Sequence, residues 1–398
     1  MVINNMKYAN IIPLIGGMTL GNIKATNNKP EFIVSFKDVF RDNDNHIVTY
    51  LNDVPYYDVS EFNLYNEYYE KLDFVSTVCP CAGISMMNVA KNSSASRSGY
   101  AKQNNWMYET AEWVLDKLRP KVFWGENAPT LVSKIGEPVR NKLLEIANKY
   151  NYSFSLYKTN TLLHGIPQNR ARTFYFFWRD SKVPVLNWYK KPHEDILTYI
   201  NKIPSDASLQ DVYFANRGNP SDFMFHKFIM TKLNTTDEEF RKTYKGTLWE
   251  FIKRNKITIE EVINWVEKNY PNTSEMRYLN YIKSKLDSNM GVWDSTPYYS
   301  KTYVNAVISR GMYMTVHPTL DRFMNIREYM HLMGLPHDFE LNFIKSKNYN
   351  HIAQNVPVNT AADITTEVIK YINDELSIST YSYLVQDNNF ENIKDFRI

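Results

Sequence analysis

Short apolar runs alternate with amphipathic stretches through the first half of the chain. Asn10–Leu14 predicts a strand leading into Gly16, Gly17 and Gly21, and Phe32–Phe36 predicts a second. Asp73–Val78 predicts a third strand, ending at Cys79-Pro80-Cys81. Met107, Ala111, Val114, Leu115 and Leu118 fall on one side of a helix over Met107–Leu118, which Arg119-Pro120 closes. Val122–Trp124 predicts a fourth strand running into Glu126-Asn127. Arg140–Tyr150 has the spacing of another amphipathic helix, and Ser153–Tyr157 and Thr173–Trp178 read as strands. Strand and helix alternate at the spacing of βαβ units. That predicts a mostly parallel sheet with helices on both faces.

The rhythm stops between about residues 190 and 310, where Lys, Asn, Tyr and Thr dominate and helical patterns replace strands. Thr258 with Glu261 fits a capping box opening a helix over Ile259–Lys268. Leu279, Ile282 and Leu286 share a face of another. Asn325–Met333 and Thr360–Tyr371 then read as helices, and the last two dozen residues have no firm assignment. The expected organisation is a large domain begun by residues 1–188, a smaller and mainly helical insert over 189–314, a returning part over 315–375, and a C-terminal extension over 376–398.

Composition changes this picture little. The chain has 398 residues, 43% of them hydrophobic, and 46 basic against 43 acidic side chains give a net charge of +3. No apolar run approaches the roughly 20 residues that cross a bilayer, and the start of the chain lacks a signal-peptide pattern. A soluble, cytoplasmic protein with no membrane association is expected. The two cysteines, Cys79 and Cys81, flank a single proline. A bond between them would be badly strained, and two thiols cannot hold a structural zinc alone, so neither disulfide nor metal is expected.

Three rim segments carry candidate chemistry. Cys81 follows a predicted strand, where open α/β sheets bind ligands, in a loop shaped by Pro80 and Gly83; a buried packing cysteine is the alternative. Glu126 reads either as an acid at a helix start or, beside a thiol, as a general acid. Gln168, Arg170 and Arg172 alternate along a strand, so their side chains would project to one side and aim at one ligand; a solvated charged face is the alternative.

Taken in order, these segments resemble the cytosine-5 DNA methyltransferase family. Pro80-Cys81 resembles its nucleophile loop, Glu126-Asn127-Ala128 its Glu-Asn-Val segment, and Gln168-Asn169-Arg170-Ala171-Arg172 its Gln-x-Arg-x-Arg signature. His317-Pro318, Asn325-Ile326-Arg327-Glu328 and Met333–Phe339 look like its Arg-Glu and Gln-Gly-Phe-Pro segment, and Gln354-Asn355-Val356-Pro357 like its closing motif. The resemblance implies a Rossmann-like, S-adenosylmethionine-dependent catalytic domain with an inserted target recognition domain, acting on double-stranded DNA as a monomer. By the same resemblance Cys81 attacks carbon 6 of a flipped cytosine, a nearby positive field or helix start lowering its pKa. Glu126 holds N3 and the amine, Arg172 binds O2, and Arg170 supports the nucleophile loop or a phosphate. Asn127 and Arg327 are expected to tie loops together. A stand-alone modifier is implied, in a restriction pair or protecting a phage genome, in a bacterial or phage-infected cell.

The donor end departs from the family. Its opening Asp-x-Phe-x-Gly-x-Gly-Gly stands here as Asn10 to Gly17, with Ile12 at the Phe and Leu14 at the first Gly. Ser35-Phe36 stands where an acid grips ribose, while Asp58-Val59 matches the acid near adenine. The donor contacts implied are Ile12, Gly16, Gly17, Ser35, Phe36, Asp58, Val59, Pro80, Asn355 and Val356. An altered donor, an RNA acceptor and a catalytically silent DNA binder are the alternatives left open.

Overall fold

The computed structural model describes residues 6–35, 41–58, 72–81, 83–85, 98–209, 218–290, 292, 297–300, 302–308, 314–341 and 345–388. Two compact units emerge. The first comprises Met1–His193, Met333–Asn342 and Gln354–Ile398; the second comprises Glu194–Leu332 and Phe343–Ala353.

The first unit is built on one eight-stranded sheet in the order β12-β6-β8-β5-β4-β1-β2-β3. Its strands are β1 (Tyr8–Ile11), β2 (Phe32–Ser35), β3 (Tyr56–Asp58), β4 (Phe74–Thr77), β5 (Val122–Asn127), β6 (Ser153–Asn160), β8 (Ala171–Trp178) and β12 (Tyr383–Asp387); the two-residue β7 (Gln168–Asn169) precedes β8. β8 runs antiparallel to both β5 and β6, and the remaining pairs are parallel. The buried strands read as nearly continuous apolar runs because helices cover both faces. α1 (Gly17–Thr26) and α13 (Val358–Ile372) lie together on one face. They are joined to the sheet by a buried polar seam in which Asn10 and Asn22 both donate to Ser76 Oγ, at 2.5 and 2.8 Å, and Thr365 donates to Asn22. α3 (Asn105–Trp113) and α4 (Glu137–Lys149) pack against each other, with Met107 of α3 reaching Asn127 on the other face. α2 (Arg41–Tyr50) follows β2.

Several boundaries differ from the sequence reading, each for a physical reason. β1 stops at Ile11 because Ile12 and Leu14 turn into the left-handed region, with φ of 53° and 51°. β5 runs through Glu126 and Asn127 because β8 continues to pair with both, opposite Phe174 and Thr173. The helix expected over Met107–Leu118 is α up to Trp113 and then widens into a π-turn, ended by left-handed Arg119. The unassigned tail supplies β12, which pairs in register with β6 from Tyr383↔Phe154 to Asp387↔Lys158.

The second unit is mainly helical: α5 (Ile196–Ile200), α6 (Met224–Leu233), α7 (Asp237–Thr243), α8 (Leu248–Arg254), α9 (Ile259–Asn269), α10 (Met276–Asp287), α11 (Ile326–Leu332) and α12 (Lys345–Gln354), with the short strands β9 (Gly246–Thr247), β10 (Tyr298–Tyr299) and β11 (Val304–Asn305). Its core gathers Phe228, Ile229, Phe240, Leu248, Val262, Val266, Leu279 and Ile282. Thr258 and Glu261 form the expected capping box, with bonds of 3.2 and 3.1 Å. Thr236 with Glu239 and Thr247 with Glu250 repeat it at α7 and α8. Asn325 and Glu328 exchange bonds of 2.8 Å at the head of α11, and Glu328 also receives Arg322. Arg327 is buried beside them. Among the described residues no helix is long and apolar enough to cross a membrane.

Candidate active site

The sheet reverses its winding at β1, which is flanked by β2 on one side and β4 on the other. Open α/β sheets bind ligands beyond the carboxyl ends of the strands at such a point, which here is where the segments following β1 and β4 stand. Past β4 the chain makes the Val78–Cys81 loop. Val78 N–H donates to the Ile12 carbonyl at 3.3 Å, and the Cys81 carbonyl accepts from Ile84 and Ser85 at 3.1 and 2.8 Å. Asn127 Nδ2 reaches the Cys79 carbonyl at 3.4 Å, binding the end of β5 to this loop. Both cysteines are free thiols; Cys79 is buried and Cys81 is partly exposed. Cys79 points to Thr77 Oγ1 and the Trp106 carbonyl, so its sulfur belongs to the core.

Glu126 lies opposite Phe174 across β5 and β8, so Arg172, two positions earlier on β8, is its diagonal neighbour on the same face. The geometry closes as an ion pair, with Arg172 Nε 2.5 Å from Glu126 Oε1. Glu126 is therefore a strand residue rather than the first acid of a helix. Arg170 takes a different course: it is 1% exposed, and its Nη2 donates to the Asn355 carbonyl at 3.0 Å. Gln168 turns to Met333 Sδ at 3.9 Å. The three alternating side chains thus do not aim at one ligand, and a guanidinium as enclosed as that of Arg170 has no path to a phosphate.

Cys81, Glu126, Arg170 and Arg172 nevertheless share one electrostatic neighbourhood. Burial pushes the Cys81 thiol up, Arg172 and Arg170 oppose that rise, and Glu126 adds to it. The expected lowering of this pKa does not occur, because desolvation outweighs the two arginines. Burial likewise raises the Glu126 carboxyl against the pull of Arg172 and Arg170. Arg170 is lowered to about 9, by burial and then by the like charge of Arg172. Burial thus works against the charged form of both Cys81 and Glu126, and the two arginines work for it.

At the donor end the turn after β1 contains Gly16 at φ 104° and leads into α1. A Cβ at Gly17 would collide with the Val356 carbonyl oxygen, and Gly17 N–H donates to Asn355 Oδ1 at 2.8 Å. A Cβ at Gly16 would meet Ile47 of α2. Ile12 is fully buried and Leu14 nearly so; both belong to the main core, so Ile12 offers no open face for stacking. Ser35 is buried at the end of β2, and Pro80 stands beside Cys81, partly exposed. Phe36 and Val59 lie outside the described residues; of Asp58 the backbone alone is described, at the end of β3.

Asn355 joins the two ends: its side-chain oxygen holds the glycine turn and its carbonyl holds Arg170. Periodicity gives no warning of such a hub. Nor does it single out Asn104, which clamps the Ser98 and Gly99 carbonyls beyond the cysteine loop, or Thr130, which bonds the Ile84 carbonyl.

A family model for C-5 cytosine-specific DNA methylases matches residues 6–370. A solved structure assigned as a DNA modification methyltransferase encoded within a prophage (E. coli) superposes with a TM-score of 0.58 at 14% identity, over 92% of this chain and 99% of that one. That likeness shows a shared fold, the Rossmann-like fold of S-adenosylmethionine-dependent methyltransferases. A mutant of Spodoptera frugiperda DNMT2 gives a TM-score of 0.49 at 11% identity, over 92% of this chain and 99% of that one, too low to carry an argument. Carene synthase 2, chloroplastic, of Picea sitchensis is 23% identical over 225 residues, 49% of this chain. The chain spans about a third of the length of that curated relative, 35%.

Proposed function

The chain belongs to the C-5 cytosine-specific DNA methylase family, whose methyl donor is S-adenosylmethionine, and from that premise we propose that it modifies cytosine in duplex DNA through a covalent Cys81 adduct. One observation carries this reading. Cys81 lies within the electrostatic reach of the Glu126–Arg172 pair, which supports a thiol and a carboxyl group acting on one base at the rim.

The turn fits the donor in its backbone. It sits beyond β1, keeps a left-handed Gly16, and faces Asn355 Nδ2, a buried donor with no hydrogen-bond partner. An unspent N–H is a reason to place an acceptor-rich ligand there. Gly16, Gly17, Ser35, Phe36, Asp58, Val59, Pro80, Asn355 and Val356 would hold it, with Ile12 left in the core. Ser35 replaces charge with a hydroxyl, which weakens the grip without removing it. When bound, the donor supplies an electrophilic methyl carbon.

The remaining chemistry falls to the chain. An extruded cytosine would seat its N3 and amine on Glu126 and its O2 on Arg172, at an unstacking cost of a few kcal/mol. The Cys81 sulfur bonds to carbon 6, and the displaced π electrons pass through carbon 5 to N3. Glu126 gives its proton to N3 and recovers one from the thiol, so no net charge builds up in a buried site. Carbon 5, now enamine-like, accepts the methyl. Water takes the proton of carbon 5, whose C–H electron pair restores the ring double bond as the sulfur departs with the pair of its bond to carbon 6. Glu126 then returns its proton to the thiolate and takes one back from N3. Arg172 holds the Glu126 side chain in place throughout, and Arg170 braces the floor from below. The second unit reads the DNA sequence, and Lys and Arg contacts to phosphate supply affinity.

The test is a duplex carrying 5-fluorocytosine, incubated with the protein and S-adenosylmethionine. Fluorine cannot leave as the proton does, so a denaturant-stable adduct is expected, absent in Cys81→Ser. Mass spectrometry of nucleosides from ordinary DNA should show methyl on deoxycytidine. A methyl found on transfer RNA alone would overturn the DNA assignment; no adduct on any nucleic acid would overturn the enzymatic one.

A further inference from the structure

Arg170 and Arg172 owe their places to the connection between β6 and β8, which is unusually well bonded. Thr159 pairs with Arg172 and Asn160 with Ala171 before the strands part. Thr161 N–H donates to the Arg170 carbonyl at 3.1 Å, Thr161 Oγ1 accepts from Arg170 N–H at 3.2 Å, and Thr161 Oγ1 also bonds the Gln168 carbonyl. His164 sits at the tip, its N–H bonded to the Thr161 carbonyl at 3.0 Å, with left-handed Gly165 after it.

The His164 side chain is 0% exposed and spans two elements. Its Nε2 lies 2.9 Å from Thr159 Oγ1, and its Nδ1 lies 2.8 Å from Asp363 Oδ2 of α13. A carboxylate can only accept, so Nδ1 carries the proton and Nε2 accepts from the Thr159 hydroxyl. Burial lowers the His164 pKa against the pull of Asp363, in keeping with this neutral tautomer. The other Asp363 oxygen is 2.5 Å from Lys191 Nζ, and Lys191 N–H donates to the Leu163 carbonyl at 2.8 Å. Hydroxyl, imidazole and carboxylate line up as in a hydrolase relay. Thr159 is only 1% exposed, so no substrate reaches its oxygen, and the alignment serves geometry rather than attack.

Asp363 lies on the helix that follows Asn355, whose carbonyl receives Arg170. The same returning segment therefore grips the arginine hairpin at its base and at its tip. We propose that His164 and Asp363 are positioning residues for cytosine modification: the bond between them sets the turn that aims Arg172 at Glu126 and brings Arg170 beside Cys81. The inference rests on the reading of Cys81, Glu126 and Arg172 given above. A displacement of about 1 Å in such a support lowers a rate about 100-fold.

Two substitutions at one position separate positioning from mere support. His164→Asn keeps an N–H near the Nδ1 position and so retains the bond to Asp363. His164→Gln places its amide near the Nε2 position and retains the contact with Thr159 alone. The single-turnover rate of adduct formation on the 5-fluorocytosine duplex is expected to fall at least tenfold in His164→Gln and in Asp363→Asn. In His164→Asn it should stay within threefold of the wild type. Donor affinity by calorimetry should change less than twofold in all three. Equal rates in the Asn and Gln variants, or donor affinity falling in step with rate, would overturn the proposal. If the wild type forms no adduct, the functional reading fails instead, which this series distinguishes because every variant is scored against a wild type that reacts.

Discussion

The two ends of the candidate site are built on opposite principles. At the base end, polar side chains partner one another: Arg172 closes on Glu126 at 2.5 Å, and both bear on Cys81. At the donor end, the chain's own backbone does the holding, with the Asn355 side chain on Gly17 N–H and apolar Ile12 and Leu14 sunk into the core. Left-handed geometry persists at Ile12 and Leu14, at a cost of about 1–2 kcal/mol each for a residue with a Cβ. A turn can thus keep a left-handed path with Leu14 at a glycine position, provided buried side chains offset the strain. Chemistry that depends on charge placement has no such latitude.

The contrast can be broken first at the base end. Cys81→Ser should abolish adduct formation, a fall of roughly 10⁴-fold or more, because the hydroxyl is a far weaker nucleophile; mass spectrometry of the trapped complex reads this directly. Glu126→Gln should cost roughly 10²–10⁴-fold in single-turnover rate. It should also change stability in a signed way. The Glu126 pKa is raised on folding, so its contribution is fully present below the ordinary carboxyl pKa and is lost as pH rises through the folded value. Thermal unfolding of the wild type should accordingly show a falling midpoint across that window, and the Gln variant a flatter one.

The donor end should answer in stability and affinity instead. Gly17→Ala forces a Cβ into the Val356 carbonyl oxygen, and a loss of about 1–3 kcal/mol in denaturant unfolding is expected. Asn355→Ala sharpens the comparison furthest, since it deletes the side chain on Gly17 while keeping the carbonyl that holds Arg170. Donor affinity by calorimetry should weaken by about three- to tenfold, the worth of one hydrogen bond. The rate at saturating donor should stay close to wild type.

Much of the large unit was legible because its strands are buried on both faces and bounded by glycine and proline, as at Phe74–Thr77 before Cys79-Pro80-Cys81. Ends were less so. Nothing in Val122–Asn127 says that β8 will keep pairing through Glu126, since pairing is set by a partner about fifty residues away. β12 carries Gln and Asp and is only half-buried at the sheet's edge, so its polarity hides it. The arginine alternation promised one shared target, but the chain leaves regular strand geometry at Arg170, between β7 and β8, and the side chains part company. The direction in which the thiol's pKa moves is hidden for a related reason: a sequence shows charges and conceals how dry their surroundings are.

The interlocking of α1 with α13 has a consequence for biosynthesis. A helix begun at Gly17 packs along Val358–Ile372, and the outermost strand waits for Tyr383–Asp387. The ribosome must therefore deliver the whole second unit before the first can close. Until then the polar seam at Asn22 lacks Thr365 and the Arg170 guanidinium lacks the Asn355 carbonyl, so neither end of the candidate site is complete.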